Sequence, residues 1–291
     1  MDNRALVVGF TWVDGGVRLR SWTGEPPALE VRPLAGALSF RILPGRHCTG
    51  RSDGSTLRMC PDRALATRGS TCEACAARDA FRPCMMCDGT RCPRLTPEMQ
   101  RYCRQPHHLY LACFGDTTIK VGTASDPRRT QRIIEQGPLA AARVAVAPGP
   151  TIKQIEHLLA EAGFSETMRR ARKTVLIRTS MTEPEARALV EDAASGLPDV
   201  LPRGYHAHLH PPQFVEQPAF ARESRTRPVN ELRIEDDRVV EGTIVGAVGH
   251  VVFVEDRDGC FALDLGELKG RRIEWDPVGP RRRPVAQLGL F

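Results

Sequence analysis

Eight of the ten cysteines fall between residues 48 and 103: Cys48, Cys60, Cys72, Cys75, Cys84, Cys87, Cys92 and Cys103. What these thiols bind decides how that stretch can fold. At its centre stand two pairs, Cys72-x2-Cys75 and Cys84-x2-Cys87, eight residues apart. Two residues between thiolates let both sulfurs reach one tetrahedral ion at about 2.3 Å, and two such knuckles close a four-thiolate site. The short gap predicts a compact site over Cys72, Cys75, Cys84 and Cys87. The remaining four, Cys48, Cys60, Cys92 and Cys103, could complete a second site, and spacing alone does not settle which share an ion. Paired CxxC units in a polar segment argue against buried free thiols or an oxidised pair. An iron–sulfur cluster is the main rival, because Cys60-Pro61, Cys92-Pro93 and Pro83-Cys84 are similar to cluster-binding loops. Zinc is the preferred ion. A structural zinc contributes folding energy on the order of 10 kcal/mol, which a segment poor in long apolar runs needs.

The chain has 291 residues, enough for one large or two to three small domains. Its net charge of +6 favours polyanion partners only weakly. The basic residues gather locally, in Arg169, Arg170, Arg172 and Lys173 and again in Arg281, Arg282 and Arg283. The plain reading of either run is a solvated face. The start is too short in apolar residues for a signal-peptide core, and no run approaches the roughly 18 apolar residues that cross a membrane. A cytoplasmic location is expected, and with it reduced cysteines.

The organisation predicted from pattern has six parts. Residues 1–45 alternate as strands, with a turn at Asp14-Gly15-Gly16. Residues 46–104 are the zinc-binding segment, and 105–200 a mixed sheet-and-helix core. Residues 201–230, rich in Pro, His and Arg, read as a linker or wrapping loop. Residues 231–276 return to strands, and 277–291 read as a flexible tail. His206, His208 and His210 alternate, but Pro211-Pro212 argues for an irregular loop there and not a metal site. His107 and His108, before the first core strand, are weak candidates for a thiolate-site ligand or a phosphate contact. Cys113 and Cys260 lie in strand patterns and are expected in the core.

The stretch from His107 to Glu156 carries the chemistry. In the strand His108–Phe114, alternation puts Leu109 and Leu111 on one face and Tyr110 with Ala112 on the other. In a second strand Lys120 and Gly122 share a face, and the glycine lets a substrate backbone come close. Asp126 is expected as a helix N-cap and Pro127 as the first helical residue. The helix that follows bears Arg128, Arg129 and Arg132, of which Arg129 and Arg132 point to one side. In the helix from Thr151, Ile152, Ile155 and Leu159 form an apolar stripe, and Glu156 lies within it. A carboxylate there is costly unless it is salt-bridged, for instance to a nearby arginine, or metal-bound.

In this order the residues resemble the GIY-YIG nuclease domain over about ninety residues. Leu109-Tyr110-Leu111 stands where the first signature would be, Lys120-Val121-Gly122 where the second would be. More closely, the whole chain resembles a bacterial and archaeal family in which a cysteine-rich segment precedes such a core. That family carries a helical arginine followed shortly by Gln-Gly, here Arg132 to Gln136-Gly137, so Arg132 is preferred to Arg129. The resemblance implies a magnesium or manganese ion held by Glu156 and polarising the scissile phosphate. It implies that Arg132 stabilises charge on the phosphoryl oxygens and that Tyr110 orients or deprotonates the attacking water. Gly122, Thr123, Arg128, Arg129, Arg169 and Arg170 would contact the nucleic acid. The chain departs from the pattern where Lys120 replaces the second signature tyrosine. A lysine there could bind phosphate, act as a base with a lowered pKa, or mark lost cleavage with binding kept.

The chain ends Gln287-Leu288-Gly289-Leu290-Phe291, which is similar to the pentapeptide by which bacterial polymerases and repair proteins dock on the sliding clamp. Gln287, Leu288, Leu290 and Phe291 would make the contact. Burying three such apolar side chains could give ~5 kcal/mol before ordering costs. The alternative is that they fold back on the body of the protein. The expectation is therefore an α+β chain: a small antiparallel sheet with flanking helices, preceded by a zinc segment and framed by two small β modules. The leading function is a metal-dependent, structure-selective DNA endonuclease of repair or replication, tethered to the clamp. The rivals are a non-cleaving nucleic-acid-binding adaptor that keeps the fold and zinc, and an RNA-directed protein.

Overall fold

A computed structural model describes residues 3–277 except 54–55, 68, 83, 85–86, 91–95 and 226–229. The tail expectation at Gln287–Phe291 and the ligand expectation at Cys92 lie outside the described residues. In chain order the elements begin with β1 (Arg4–Val13), β2 (Gly16–Thr23), β3 (Ala28–Pro33) and β4 (Gly36–Arg46). Short strands β5 (Arg51–Ser52) and β6 (Leu57–Arg58) follow, then α1 (Glu73–Ala77), α2 (Pro97–Arg104), β7 (Pro106–Cys113) and β8 (Ile119–Ser125). Next come α3 (Gln131–Gln136), β9 (Ala140–Pro148), α4 (Gly149–Glu161), α5 (Arg170–Leu176), α6 (Glu183–Ser195) and α7 (Leu197–Val200). The last are β10 (Leu209–Phe214), α8 (Ala219–Ser224), β11 (Asn230–Glu231), β12 (Val239–Val248), β13 (Val251–Asp256), β14 (Gly259–Asp264) and β15 (Arg271–Trp275). The chain is thus a mixture of helices and antiparallel sheets. No described helix is long and apolar enough to cross a membrane.

Two compact units divide the chain, one of residues 1–81 with 219–291, the other of residues 82–218. The first holds a nine-stranded sheet in the order β11-β14-β13-β12-β4-β15-β1-β2-β3. The two β modules expected to stand apart are therefore one sheet. β15 lies between β1 and β4, pairing Ala5 with Ile273 on one side and Ile273 with Ile42 on the other. Local alternation predicts the strands, but it carries no information about partners so far apart in sequence. The turn from β1 to β2 is as expected. Asp14 and Gly15 both take positive φ, 51° and 74°, the left-handed pair a two-residue hairpin turn requires.

The second unit carries a four-stranded sheet in the order β10-β9-β7-β8. Its two faces follow the predicted alternation. Leu109, Leu111 and Cys113 join Val121, Val144, Ile152, Ile155, Leu159, Ala186 and Val190 in one core, beneath α4 and α6. Tyr110, Ala112 and Phe114 join Ile133, Ala141 and Val215 in another, with Met168 and Leu176 against it.

Three local expectations are corrected. Residues 201–230 contain a 3-10 helix (Arg203–His208), β10 and α8 in place of a linker. Pro211 and Pro212 fit because β10 is an edge strand, where a missing N–H costs no ladder bond. The cap at the arginine-bearing segment is Ser125, not Asp126, and the segment opens as a 3-10 turn, Asp126–Arg128, before α3. Asp126 is instead drawn sideways, its carboxylate 2.9 Å from His108 Nε2 and 3.1 Å from Arg129 Nη1.

Candidate functional site

The polar residues of the second unit gather around Tyr110. Its side chain is 2% exposed, and a Cβ built on Gly122, its partner across the β7–β8 pair, would lie 2.4 Å from the phenol oxygen and 3.1 Å from Lys120 Nζ. The expected face is therefore real: Tyr110, Lys120 and the bare backbone of Gly122 adjoin one another. Burial pushes the phenol up to about 12, Arg132 opposing that shift and Glu156 adding to it. At neutral pH the phenol is protonated and can donate a hydrogen bond.

Lys120 is 7% exposed, with Nζ 2.8 Å from Val121 O and 5.8 Å from the Tyr110 ring centre. Burial lowers it to about 8, against the pull of Glu156 and with the repulsion of Arg132 and Lys153. A second buried lysine, Lys173 of α5, is also 7% exposed. Its ammonium donates to Gln136 Oε1 and lies 4.7 Å from the Phe114 ring centre. Burial, then Lys120 and Arg132, lower it to about 7. Lys173 was missed in the sequence because it ends a run read as a solvated face. The overlooked signal was Leu176 and Ile177, three and four residues on, which put Lys173 on the packing side of α5.

Arg132, not Arg129, acts on Tyr110, Lys120 and Lys173. Arg129 is held by Asp126, and Arg128 by the buried Glu135 at 2.5 Å. Thr123 follows Gly122 in β8, so its side chain leaves by the opposite face of the strand. Arg169 and Arg170 are exposed at the start of α5. Glu156 sits where the apolar stripe predicts, beside the fully buried Ile152, Ile155 and Leu159, and is 8% exposed. Its partner is a lysine and not an arginine: Lys153 Nζ, one turn back on α4, stands 2.5 Å from Glu156 Oε2. The charge of Glu156 is felt at both Tyr110 and Lys120. Lys120 and Lys173 therefore lie buried amid the charges of Arg132, Lys153, Glu156 and Glu166, cations outnumbering carboxylates, with Arg132 itself exposed.

The thiols group differently from the expectation. Cys48, Cys60, Cys72 and Cys75 are all buried, and their sulfurs lie within 4.8 Å of one another. Cys84 and Cys87, expected to share the ion with Cys72 and Cys75, are not part of this set and belong to the other unit. Two CxxC pairs fit a four-thiolate site equally well with each other or with outside cysteines, so spacing could not decide. The donor set fits zinc. Cys60 Sγ stands 3.9 Å from Cys72 Sγ, near the roughly 3.8 Å edge of a tetrahedron with 2.3 Å metal–sulfur bonds. Backbone amides already point at the sulfurs, Gly50 N–H at Cys48 (3.4 Å) and Cys75 N–H at Cys72 (3.5 Å). Burial holds Cys48 and Cys75 above the ordinary thiol range, while the Cys75 amide lowers Cys72. A divalent cation supplies the compensation that four crowded sulfurs lack.

Compared with known proteins, the chain matches one family over residues 43–273, a family described as a protein of unknown function (DUF2797). No curated protein and no solved structure matches it.

Proposed function

We propose, for a chain that belongs to the DUF2797 family, that the cluster around Tyr110 binds a phosphodiester of DNA and that the chain is a divalent-ion-dependent endonuclease of the GIY-YIG kind. One observation carries the reading. Lys120, 7% exposed, adjoins the buried Tyr110 phenol at Gly122, and a second lysine, Lys173, also 7% exposed, interacts with Lys120 and with Arg132. Buried cations in excess of their anions are stabilised by an anionic ligand, and a diester group supplies one. On this reading Lys120, Lys173 and Arg132 neutralise the charge that grows on the phosphoryl oxygens. Tyr110 donates a hydrogen bond and so orients a water or a phosphoryl oxygen. Gly122 leaves room for the Tyr110 ring, whose oxygen fills the place a Cβ would take, and not for a nucleic-acid backbone as the sequence suggested. Glu156 is the residue that would hold magnesium or manganese, an ion bound through one or two carboxylates with waters and substrate phosphate, which polarises the phosphate. Lys153 pairs with that carboxylate until then.

The tail Gln287–Phe291 would dock on the sliding clamp, raising the local concentration of the site on DNA during repair or replication. The substrate would be a DNA structure, since no base-reading motif is visible. The test is a cleavage screen over forked, flapped and cross-linked DNA with magnesium and manganese. Wild type nicks at least one substrate. Glu156→Gln binds it without nicking, and deletion of the last five residues abolishes clamp co-elution without loss of nicking.

A second reading, a non-cleaving nucleic-acid-binding adaptor, is favoured by the 2.5 Å Lys153–Glu156 pair and by the burial of Tyr110. Binding by wild type with no nicking on any of these substrates selects it.

A further inference from the structure

The sheet of the first unit ends on one side in β11, two residues long, and on the other in β3, six residues long. β3 therefore carries the longer outer edge. One hydrogen bond fixes which backbone groups that edge presents. Leu34 N–H donates to Val17 O at 3.0 Å, in line with the β2–β3 register that pairs Arg18 with Pro33 and Leu19 with Arg32. Bonded pairs alternate along an antiparallel ladder. Arg32, Glu30 and Ala28 hence turn their N–H and C=O toward β2, while Leu29 and Val31 turn theirs outward. Pro33 presents a carbonyl to the outside and no N–H.

The side chains alternate as well. Glu30 and Arg32 share the face of the buried Leu34, with Arg32 Nε 3.4 Å from Glu30 Oε1 and its guanidinium 4.2 Å from the Trp275 ring centre. Leu29 and Val31 stand on the opposite face, 37% and 42% exposed. Apolar residues beside outward-turned backbone groups make an edge a template for another strand.

The order Leu29-Glu30-Val31-Arg32-Pro33 selects which strand. Laid antiparallel against a second copy of itself, about a two-fold axis through Val31, it places Glu30 of each copy opposite Arg32 of the other. Those pairs fall at the non-hydrogen-bonded positions, where Cα atoms come within about 4.5 Å. Val31 meets Val31 as a hydrogen-bonded pair, and each Leu29 N–H meets a Pro33 carbonyl. Leu29, Val31 and Pro33 of both copies then form one apolar band. Other axes lose this match. An axis through Glu30 sets glutamate against glutamate, one through Arg32 sets arginine against arginine, and one through Leu29 sets Glu30 against Ala28.

We propose that β3 is a dimerisation edge, on which two copies of this chain join antiparallel about Val31 into one continuous sheet. Each copy brings one such edge, so the assembly closes at two.

The test is sedimentation velocity of the full chain over a series of concentrations. Wild type shows a monomer–dimer equilibrium. Glu30→Arg or Arg32→Glu alone sets like charges opposite at both symmetry-related positions and weakens the dimer by about 10-fold or more. An equimolar mixture of the two variants restores it, because one copy then offers only arginines and the other only glutamates. That recovery also shows that both variants fold. Val31→Pro removes the N–H at the axis and leaves the bonds to β2 in place, so the dimer is lost while the melting temperature of the monomer holds. Wild type that stays monomeric throughout overturns the proposal, and so does assembly beyond two copies. A dimer that both charge reversals leave unchanged, or a mixture no tighter than its components, overturns it too.

Discussion

Affinity for a phosphodiester is expected to depend steeply on pH, through two lysines whose ordinary value is 10.5. Burial holds Lys173 at about 7 and Lys120 at about 8 in the free protein. A bound diester favours both in the charged form, so binding takes up protons whenever the free lysines have lost them. Between pH 6 and pH 8.5 the cost of recharging is about 30-fold for Lys173 and about 4-fold for Lys120, roughly 100-fold together, or ~3 kcal/mol. Phosphodiester oxygens do not titrate in this range, so the ligand adds no slope of its own. The assay is fluorescence anisotropy with a labelled DNA oligonucleotide in EDTA, at fixed ionic strength so that counterion release stays constant. Lys173→Met leaves only the Lys120 component, a fall of about 4-fold over the same window. Wild-type affinity that stays constant from pH 6 to pH 8.5, or a slope in Lys173→Met as steep as in wild type, refutes the placement of these lysines against the ligand.

The same two groups set the sign of a stability change without ligand. Their folded values lie below 10.5, so the unfolded chain binds more protons between about pH 7 and pH 10; stability therefore rises with pH across that window, as thermal melts will show. Gly122→Ala sets a methyl group 2.4 Å from the Tyr110 oxygen, so denaturant unfolding should show a loss of about 1–3 kcal/mol. Cys60→Ser, or a strong chelator on wild type, removes the ion of the four-cysteine cluster; the melting temperature falls, and zinc restores it for the chelated protein but not for the variant.

Local chemistry was legible in the sequence wherever a pattern of two to four residues decides it. The alternation that separates Tyr110 from Leu109 and Leu111, the stripe of Ile152, Ile155 and Leu159, and the Asp14-Gly15 turn all appear where the pattern puts them. What depends on distant partners was not legible. Nothing in the strand near residue 273 says that it enters between β1 and β4. Nothing in the thiol spacing says that Cys72 and Cys75 pair with Cys48 and Cys60. At the candidate site the acid and the helical arginine were readable as residue types in order. The charge balance was not, because Lys173 hides inside a basic run and Lys153 precedes Glu156 by a turn like any surface pair. Asp126 was mistaken for a cap because its sequence suits one, while His108, eighteen residues earlier, takes its carboxylate.

The place of β15 has a consequence for synthesis. Both neighbours of β4 in the sheet, β12 and β15, are made long after it. While a ribosome works through the intervening residues, β4 emerges with its two hydrogen-bonding edges unsatisfied and with Leu38, Phe40 and Ile42 unburied. The segment 82–218 has all its own strands by then and can close first. The amino-terminal ribbon must wait for the carboxyl-terminal one, and a chain released early keeps a sticky, unpaired strand that other nascent copies can capture.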